Sequence, residues 1–345
     1  GTAVGTEQTN ATGSFDNLEA GKYKITATLS DGTTEKKKVE KTINIKNLDD
    51  MSAYLFVHFV DTQEDATREQ IYFSVSKDGK TWTTLNNKQP YLTSNVGTQG
   101  VRDPYILRGE DGKFFIIATD LSVYNLKNNW TAAAQQGSKS IVVWESSDLV
   151  NWSEASLVKI NNDNAGCTWA PEACYDPEKD EYMVFWASVV SDDSYQKYRI
   201  YRSYTKDFKT FSAPELYIEE PNAVIDTTII DHEGTYYRFT KNEAKSSITM
   251  QECTSLSGDW KDVASYNLGS MTGYEGPTIY KLNGKNEWCL LLDYFSKSKG
   301  YKPFVTTDIT KGEFTADSDF SFDGTYRHGT VMPITQAEYE SLTAE

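Results

Sequence analysis

Five short segments, spaced tens of residues apart, repeat one arrangement: a charged or ring-bearing polar residue beside Pro, Gly or Thr, followed by a β-prone run. They are Arg102-Asp103-Pro104, Ala170-Pro171-Glu172, Ile225-Asp226-Thr227, Tyr274-Glu275-Gly276-Pro277 and Arg327-His328-Gly329. The runs that follow are Tyr105 to Leu107, Ala173 to Tyr175, Thr228 to Ile230, Thr278 to Tyr280 and Thr330 to Ile334. A second pattern keeps step with the first: Ser or Thr, then Asp or Gly, then an aromatic, at Ser76–Trp82, Ser147–Trp152, Thr205–Phe211, Ser255–Trp260 and Thr307–Phe314. Each unit also holds a strongly β-prone stretch, at Tyr54 to Val60, Phe114 to Leu121, Tyr182 to Ser188, Thr235 to Lys241 and Trp288 to Phe295. Five small antiparallel sheets at a regular period match the radial repetition of a β-propeller. The fold class is therefore all-β, a five-bladed propeller spanning residues 50–345.

Closure of the ring is legible as well. The first unit, Tyr54 to Trp82, lacks an innermost strand, and the chain ends on an orphan strand, Gly329 to Ile334. Pairing the two would remove an exposed edge. Only Gln336 to Leu342 carries a helical pattern, and a surface cap is expected there. Residues 1–49 differ: Tyr23, Ile25, Ala27 and Leu29 alternate with polar residues, Asp31-Gly32 marks a turn, and a second strand runs to Ile45. This is similar to the tail of an immunoglobulin-like sandwich, a partial β segment preceding the propeller. Lys36-Lys37-Lys38 is expected on a solvated edge.

Composition narrows the partners. A formal net charge of -16 offers no basic stripe for a phosphate backbone, so no nucleic acid is expected. An uncharged ligand suits the surface, and 22 Tyr and 8 Trp fit both a β-rich fold and aromatic platforms for sugar rings. No run reaches the roughly 18 apolar residues of a membrane span. Cys167, Cys174, Cys253 and Cys289 lack C-x-x-C spacing, which argues against zinc, and Cys174 and Cys289 are expected as buried free thiols. Gly1 to Thr12 shows no apolar leader core, so a leader has been removed or the chain starts inside a longer one.

Matching strand ends converge on a propeller axis, which places Asp103, Glu172, Asp226, Glu275 and His328 around one pocket. Four crowded carboxylates repel, so some must hold protons unless a cation compensates. Glycosidic cleavage needs that pairing: a protonated carboxyl for the leaving oxygen and an ionised one to activate water or attack carbon. Any one of these motifs alone also fits a simple turn cap.

Val101-Arg102-Asp103-Pro104-Tyr105, Ala118-Thr119-Asp120-Leu121, Trp169-Ala170-Pro171-Glu172, Ile225-Asp226, Tyr236–Lys241, Glu275-Gly276-Pro277 and Arg327–Thr330, in this order, resemble glycoside hydrolase family 43 over residues 52–342. Ser140–Ser146 and the Arg-His-Gly-Thr ending bring the resemblance nearest the exo-acting α-L-arabinofuranosidases. The resemblance implies an inverting hydrolase: Asp103 as general base, Asp226 raising the pKa of the acid and orienting it, and Glu275 as general acid, with Asp103 and Glu275 roughly 6.5–9.5 Å apart. Trp169 is expected either to stack on a sugar or to sit in the core, and Arg238 either to steady a carboxylate or sugar hydroxyl or to form a structural ion pair. Glu172 either binds substrate or pairs with an arginine. His328 matches a histidine that faces calcium or water in the central channel; a structural role is the alternative. No cofactor is required on this reading, and a structural calcium ion in the central channel stays open. The implied substrate is a plant polysaccharide or oligosaccharide, met by a secreted or cell-surface bacterial monomer. A β-xylosidase of the same family shares the trio, and a sugar-binding propeller without catalysis is the rival from another class.

Overall fold

A computed structural model describes residues 21–30, 35–45, 50–60 and 65–344. The chain divides into two compact units, Gly1–Met51 and Ser52–Glu345. In the first, β1 (Gly21–Ser30) and β2 (Glu35–Ile45) pair antiparallel from Gly21 opposite Ile45 to Ser30 opposite Glu35. The expected Asp31-Gly32 turn lies outside the described residues. Leu29 is 64% and Val39 52% exposed, so the alternation seen in sequence leaves part of an apolar face uncovered in this unit.

The second unit contains five sheets. Its first strands are β3 (Met51–Phe59), β4 (Tyr72–Ser76) and β5 (Thr81–Thr84). Blade 1 is β6 (Val101–Arg108), β7 (Phe114–Asp120), β8 (Ser140–Ser146) and β9 (Ser156–Lys159); blade 2 is β10 (Trp169–Asp176), β11 (Glu181–Ser188), β12 (Arg199–Thr205) and β13 (Glu215–Ile218). Blade 3 is β14 (Val224–His232), β15 (Thr235–Asn242), β16 (Ser247–Cys253) and β17 (Lys261–Asp262); blade 4 is β18 (Glu275–Lys281), β19 (Trp288–Asp293), β20 (Tyr301–Thr306) and β21 (Thr315–Ala316). Blade 5 joins the chain's two ends: β23 (Arg327–Thr335) is innermost beside β3, followed by β4, β5 and a short outer strand β22 (Ser321–Phe322). The orphan-strand closure is thus as expected, while β22, which runs parallel to β5, was not foreseen. Gly329 is required at the closing seam, because a Cβ there would lie 2.1 Å from the Val57 carbonyl oxygen.

Each pair of neighbouring blades encloses its own apolar core. Ile106, Ile116 and Trp144 of blade 1 meet Leu55, Val57 and Phe73 of blade 5 in one, and Ile117, Val184, Trp186 and Phe208 join blades 1 and 2 in the next. Inner strands are therefore buried on both faces, which explains why Phe114–Asp120 and Trp288–Asp293 are continuous β-prone runs and not alternating ones. The second sequence repeat forms the turn between the third and fourth strands. Asp78 Oδ1 accepts from the amides of Lys80 (2.8 Å) and Thr81 (2.6 Å), Asp148 from Val150 and Asn151, and Asp207 from Lys209 and Thr210. In the second turn the supporting hydroxyl belongs to Ser146, which accepts from the Leu149 amide.

The C-terminal helix α2 (Gln336–Thr343) opens with a capping box between Thr335 and Glu338, and Arg108 forks onto the same Glu338 at 2.7 and 2.8 Å. A second helix, α1 (Trp130–Gln135), was not expected; Asn129 caps it by accepting from the Ala132 amide. All four cysteines are free, with Cys167 and Cys289 buried and Cys174 only half-buried. Among the described residues no helix is long and apolar enough to cross a membrane.

Candidate active site

Four of the five inner strands carry a one-residue β-bulge at the same place. Pairing skips between Arg102 and Tyr105, Trp169 and Glu172, Ile225 and Thr227, and Glu275 and Thr278. The left-handed residue at each bulge is Asp103 (φ +50°), Ala170 (+47°), Asp226 (+51°) or Gly276 (+51°). A left-handed conformation costs a non-glycine residue about 1–3 kcal/mol, and it turns these side chains out of the pleat toward the axis. Structural equivalence therefore aligns Asp103, Ala170, Asp226 and Gly276, with Arg102, Trp169, Ile225 and Glu275 one position earlier. Both rows except Ala170 and Gly276 line a cavity of about 390 Å³, together with His328, Lys241, Glu243, Trp130, Tyr198, Leu121 and Phe295.

Two predicted substrate residues lie elsewhere. Glu172 is two residues past the bulge, 4% exposed, and not part of the cavity wall. Among the described residues it pairs with no arginine and its Oε2 lacks a hydrogen-bond partner, and burial pushes its carboxyl up to about 8 against the pull of nearby His328. Arg238 pairs across from Ile229, three residues along the strand from the mouth. Its Nε donates to Gln251 Oε1 (2.7 Å), its guanidinium stacks 4.3 Å from the Trp260 ring, and it opens onto a separate groove between blades 2 and 3. Lys241 reaches the cavity instead, because it faces Ile225 in register beside Asp226. Trp169 does line the cavity, stacked at 5.4 Å on Tyr198 and edge-on to Trp130 of α1.

His328 organises the floor. Its Nδ1 lies 3.4 Å from Asp103 Oδ1 and 3.9 Å from Asp226 Oδ2. Burial works against the imidazolium, but Asp226, Asp103 and Glu172 outweigh it and raise His328 to about 9, so it is charged at neutral pH. Burial also pushes the Asp103 carboxyl up, yet the hydrogen bond and charge of His328, then Arg102, hold it below the ordinary carboxylate value. Thr119 Oγ1 donates to Asp103 Oδ2 (2.9 Å) and accepts from the Ala170 amide (2.7 Å), tying the carboxylate to blade 2. Asp226 accepts from the Gly276 amide (3.0 Å); burial, with Glu275 and Asp103 adding to it, carries Asp226 up to about 6 in spite of His328 and Lys241.

Glu275 is held by two cations, where the sequence suggested mainly neighbouring anions. Lys241 Nζ donates to its Oε2 (3.0 Å) and Arg327 to its Oε1 (3.3 Å); Arg327 also donates to Asp293 Oδ2 (2.6 Å). Lys241 is kept protonated: burial opposes its charge, but Glu275, Asp226 and Glu243 prevail. Arg102 is braced from behind by the buried Glu69 at 2.9 Å, which also accepts from the amides of Val123 and Tyr124. Arg102 and Arg327 stood inside the quoted motifs and Lys241 ended one, so a search for cations to balance the acids could have found them. Trp130, Tyr198, Phe295 and Glu69 carried no local signal.

Calcium finds little support in this geometry. Among the described residues no three His, Cys, Asp or Glu side chains converge as a metal site, and Nδ1 of a protonated His328 already faces two carboxylates. The arrangement offers instead one carboxylate held ionised, a second carboxyl in the same cavity, and aromatic side chains in the wall.

Residues 49–340 match the family described as "Probable glycosyl hydrolase domain", related to glycoside hydrolase family 43. An α-L-arabinofuranosidase of Bifidobacterium longum subsp. longum is 30% identical over 85% of this chain, which spans 32% of that relative's length. Among solved structures, the catalytic domain of an α-L-arabinofuranosidase from Coprinopsis cinerea is 17% identical, covering 67% of this chain and 71% of that one, with a TM-score of 0.47. An exo-β-1,3-galactanase from Phanerochaete chrysosporium is 18% identical, covering 66% and 53%, with a TM-score of 0.48.

Proposed function

This chain belongs to the glycosyl hydrolase family related to glycoside hydrolase family 43, and from that premise we propose that it removes terminal α-L-arabinofuranosyl residues from plant cell-wall polysaccharides or oligosaccharides, with inversion. The observation that carries the reading is the meeting of Asp103, Asp226 and Glu275 in a single cavity of about 390 Å³. The choice of arabinofuranose rests on the Bifidobacterium relative. Such substrates lie outside bacterial cells, so the reading carries secretion or surface display with it.

In the proposed reaction Asp103 takes a proton from water as the water oxygen bonds to the anomeric carbon. Its low proton affinity, set by His328 and Arg102, keeps it in the basic form at neutral pH. Glu275 gives a proton to the departing glycosidic oxygen as the C–O bond breaks. Both Glu275 oxygens accept from cations here, so one of the contacts to Lys241 or Arg327 must release when the proton is loaded. Asp226, tethered to the Gly276 amide, fixes the backbone next to Glu275. Trp169 and Tyr198 supply the aromatic wall for the sugar. No step is routed through a metal.

Hydrolysis of 4-nitrophenyl α-L-arabinofuranoside and β-D-xylopyranoside, with the first-formed anomer followed by proton NMR, tests the reading. Asp103→Ala should lower kcat by about 10²–10⁴-fold on every substrate, and Glu275→Ala by as much on natural glycosides but less on the nitrophenyl glycoside, whose leaving group needs little protonation. An Asp103 variant of undiminished activity would remove the base. Turnover of the xyloside alone would replace arabinose with xylose, and no turnover of either or of natural oligosaccharides would make the protein a binding propeller.

A further inference from the structure

The acids of the cavity are graded by depth. Side-chain exposure rises from Asp226 (8%) through Asp103 (14%) and Glu275 (20%) to Glu243 (40%), so the floor is the His328 cluster and Glu243 stands at the mouth. Glu243 follows directly on β15, and its backbone amide donates to the Ala223 carbonyl at 2.9 Å, which fixes its place. One ammonium joins it to the acid at the reaction centre: Lys241 Nζ lies 2.8 Å from Glu243 Oε2 and 3.0 Å from Glu275 Oε2, with the Phe295 ring 4.4 Å away on another side. Glu243 Oε2, the oxygen facing Lys241, is buried and has no hydrogen-bond partner of good geometry among the described residues, and the side chain lines the cavity. The mechanism above gives Glu243 no task.

A glycosidase that takes a terminal sugar into a cavity leaves the rest of the saccharide at the mouth, next to the acid that protonates the bond. Glu243, Phe295 and Lys241 are what the chain offers at that spot. We propose that they form the subsite for the leaving sugar, in which the Glu243 carboxylate accepts a hydroxyl of the first sugar beyond the scissile bond and Phe295 packs on its C–H face. Lys241 is the positioning residue that holds Glu243 and Glu275 at a fixed separation. The inference rests on Glu275 being the proton donor.

The test compares saccharide and aryl leaving groups in the whole protein. Kinetics of wild type, Glu243→Ala and Glu243→Gln are measured on arabinobiose and arabinofuranosyl-xylobiose, and on 4-nitrophenyl α-L-arabinofuranoside, which has no hydroxyls beyond the bond. Loss of a hydrogen bond to a charged group predicts a fall of about 10–100-fold in kcat/KM for the saccharide that wild type cleaves, a smaller fall for Glu243→Gln, and a change within about twofold for the aryl glycoside. Glu243 sits at the cavity mouth, so unchanged melting temperatures are expected alongside. Equal losses on both substrate types, or no loss on either, overturn the subsite. Wild-type protein that cleaves none of the three overturns the donor assignment beneath it, and the subsite with it.

Discussion

Replacing His328 by Gln should remove a pH-dependent part of the stability that this imidazolium supplies. Its folded-state value of about 9 exceeds the ordinary 6.5. A difference of roughly 2.5 units at 1.36 kcal/mol each is worth about 3 kcal/mol. Because the folded value is the higher one, the contribution is complete below pH 6.5 and fades as pH rises through 9. The groups facing the ring are Asp103, Asp226 and Glu172, with Arg102 beside Asp103 and Lys241 near Asp226. In the variant Asp226, already near 6, can take up a proton at low pH and soften the loss, so the expected gap at pH 6 is about 2–3 kcal/mol. For a unit of this size that corresponds to about 3–5 °C in Tm. Guanidinium unfolding of both proteins at pH 6, 7.5 and 10 measures the gap directly, and the difference between the two curves cancels the titrating groups that do not face His328. It should shrink by about 2–3 kcal/mol between pH 6 and pH 10. A gap independent of pH over that range would show that the imidazolium is not the cation that holds the two aspartates together.

Gly276→Ala should cost about 2–4 kcal/mol by thermal denaturation, since the new Cβ would sit 2.7 Å from His328 Cγ at a left-handed φ of +51°. Trp169→Ala should raise KM for arabinofuranosides, whereas Arg238→Ala, which alters only the outer groove, should leave KM and kcat within about twofold; a kcat loss in the latter would return Arg238 to the cavity. Dialysis against EDTA should leave Tm and activity unchanged, because no metal-ligand cluster exists among the described residues; recovery of a lost activity by added calcium would reinstate the ion.

The blades were legible because their cues are local. Turns such as Ser76–Trp82 are closed by an Asp accepting the amides two and three residues on, and that chemistry needs no distant partner. Burial of inner strands on both faces forces continuous β-prone runs, which a sequence displays directly. Even the closure by β23 followed from counting strands. Glu172 was misplaced because the strand starts were aligned on their polar residues and not on the bulges: Ala170, two residues before Glu172, takes the place of Asp103 and Asp226, while Arg238 lies three residues from the mouth that Lys241 reaches.

The five sheets, their turns and the presence of Asp103, Asp226 and Glu275 at strand mouths are written in the chain, because each of these depends on residues within a few positions of one another. The electrostatics came with the closed ring. Lys241 from blade 3 and Arg327 from blade 5 meet on Glu275 of blade 4, His328 comes between the aspartates of blades 1 and 3, and α1 brings Trp130 against Trp169. Charges interact across space over a few ångströms whatever their separation in the chain, so the ionisation of this site is set by ring closure and by the bulges that aim its side chains.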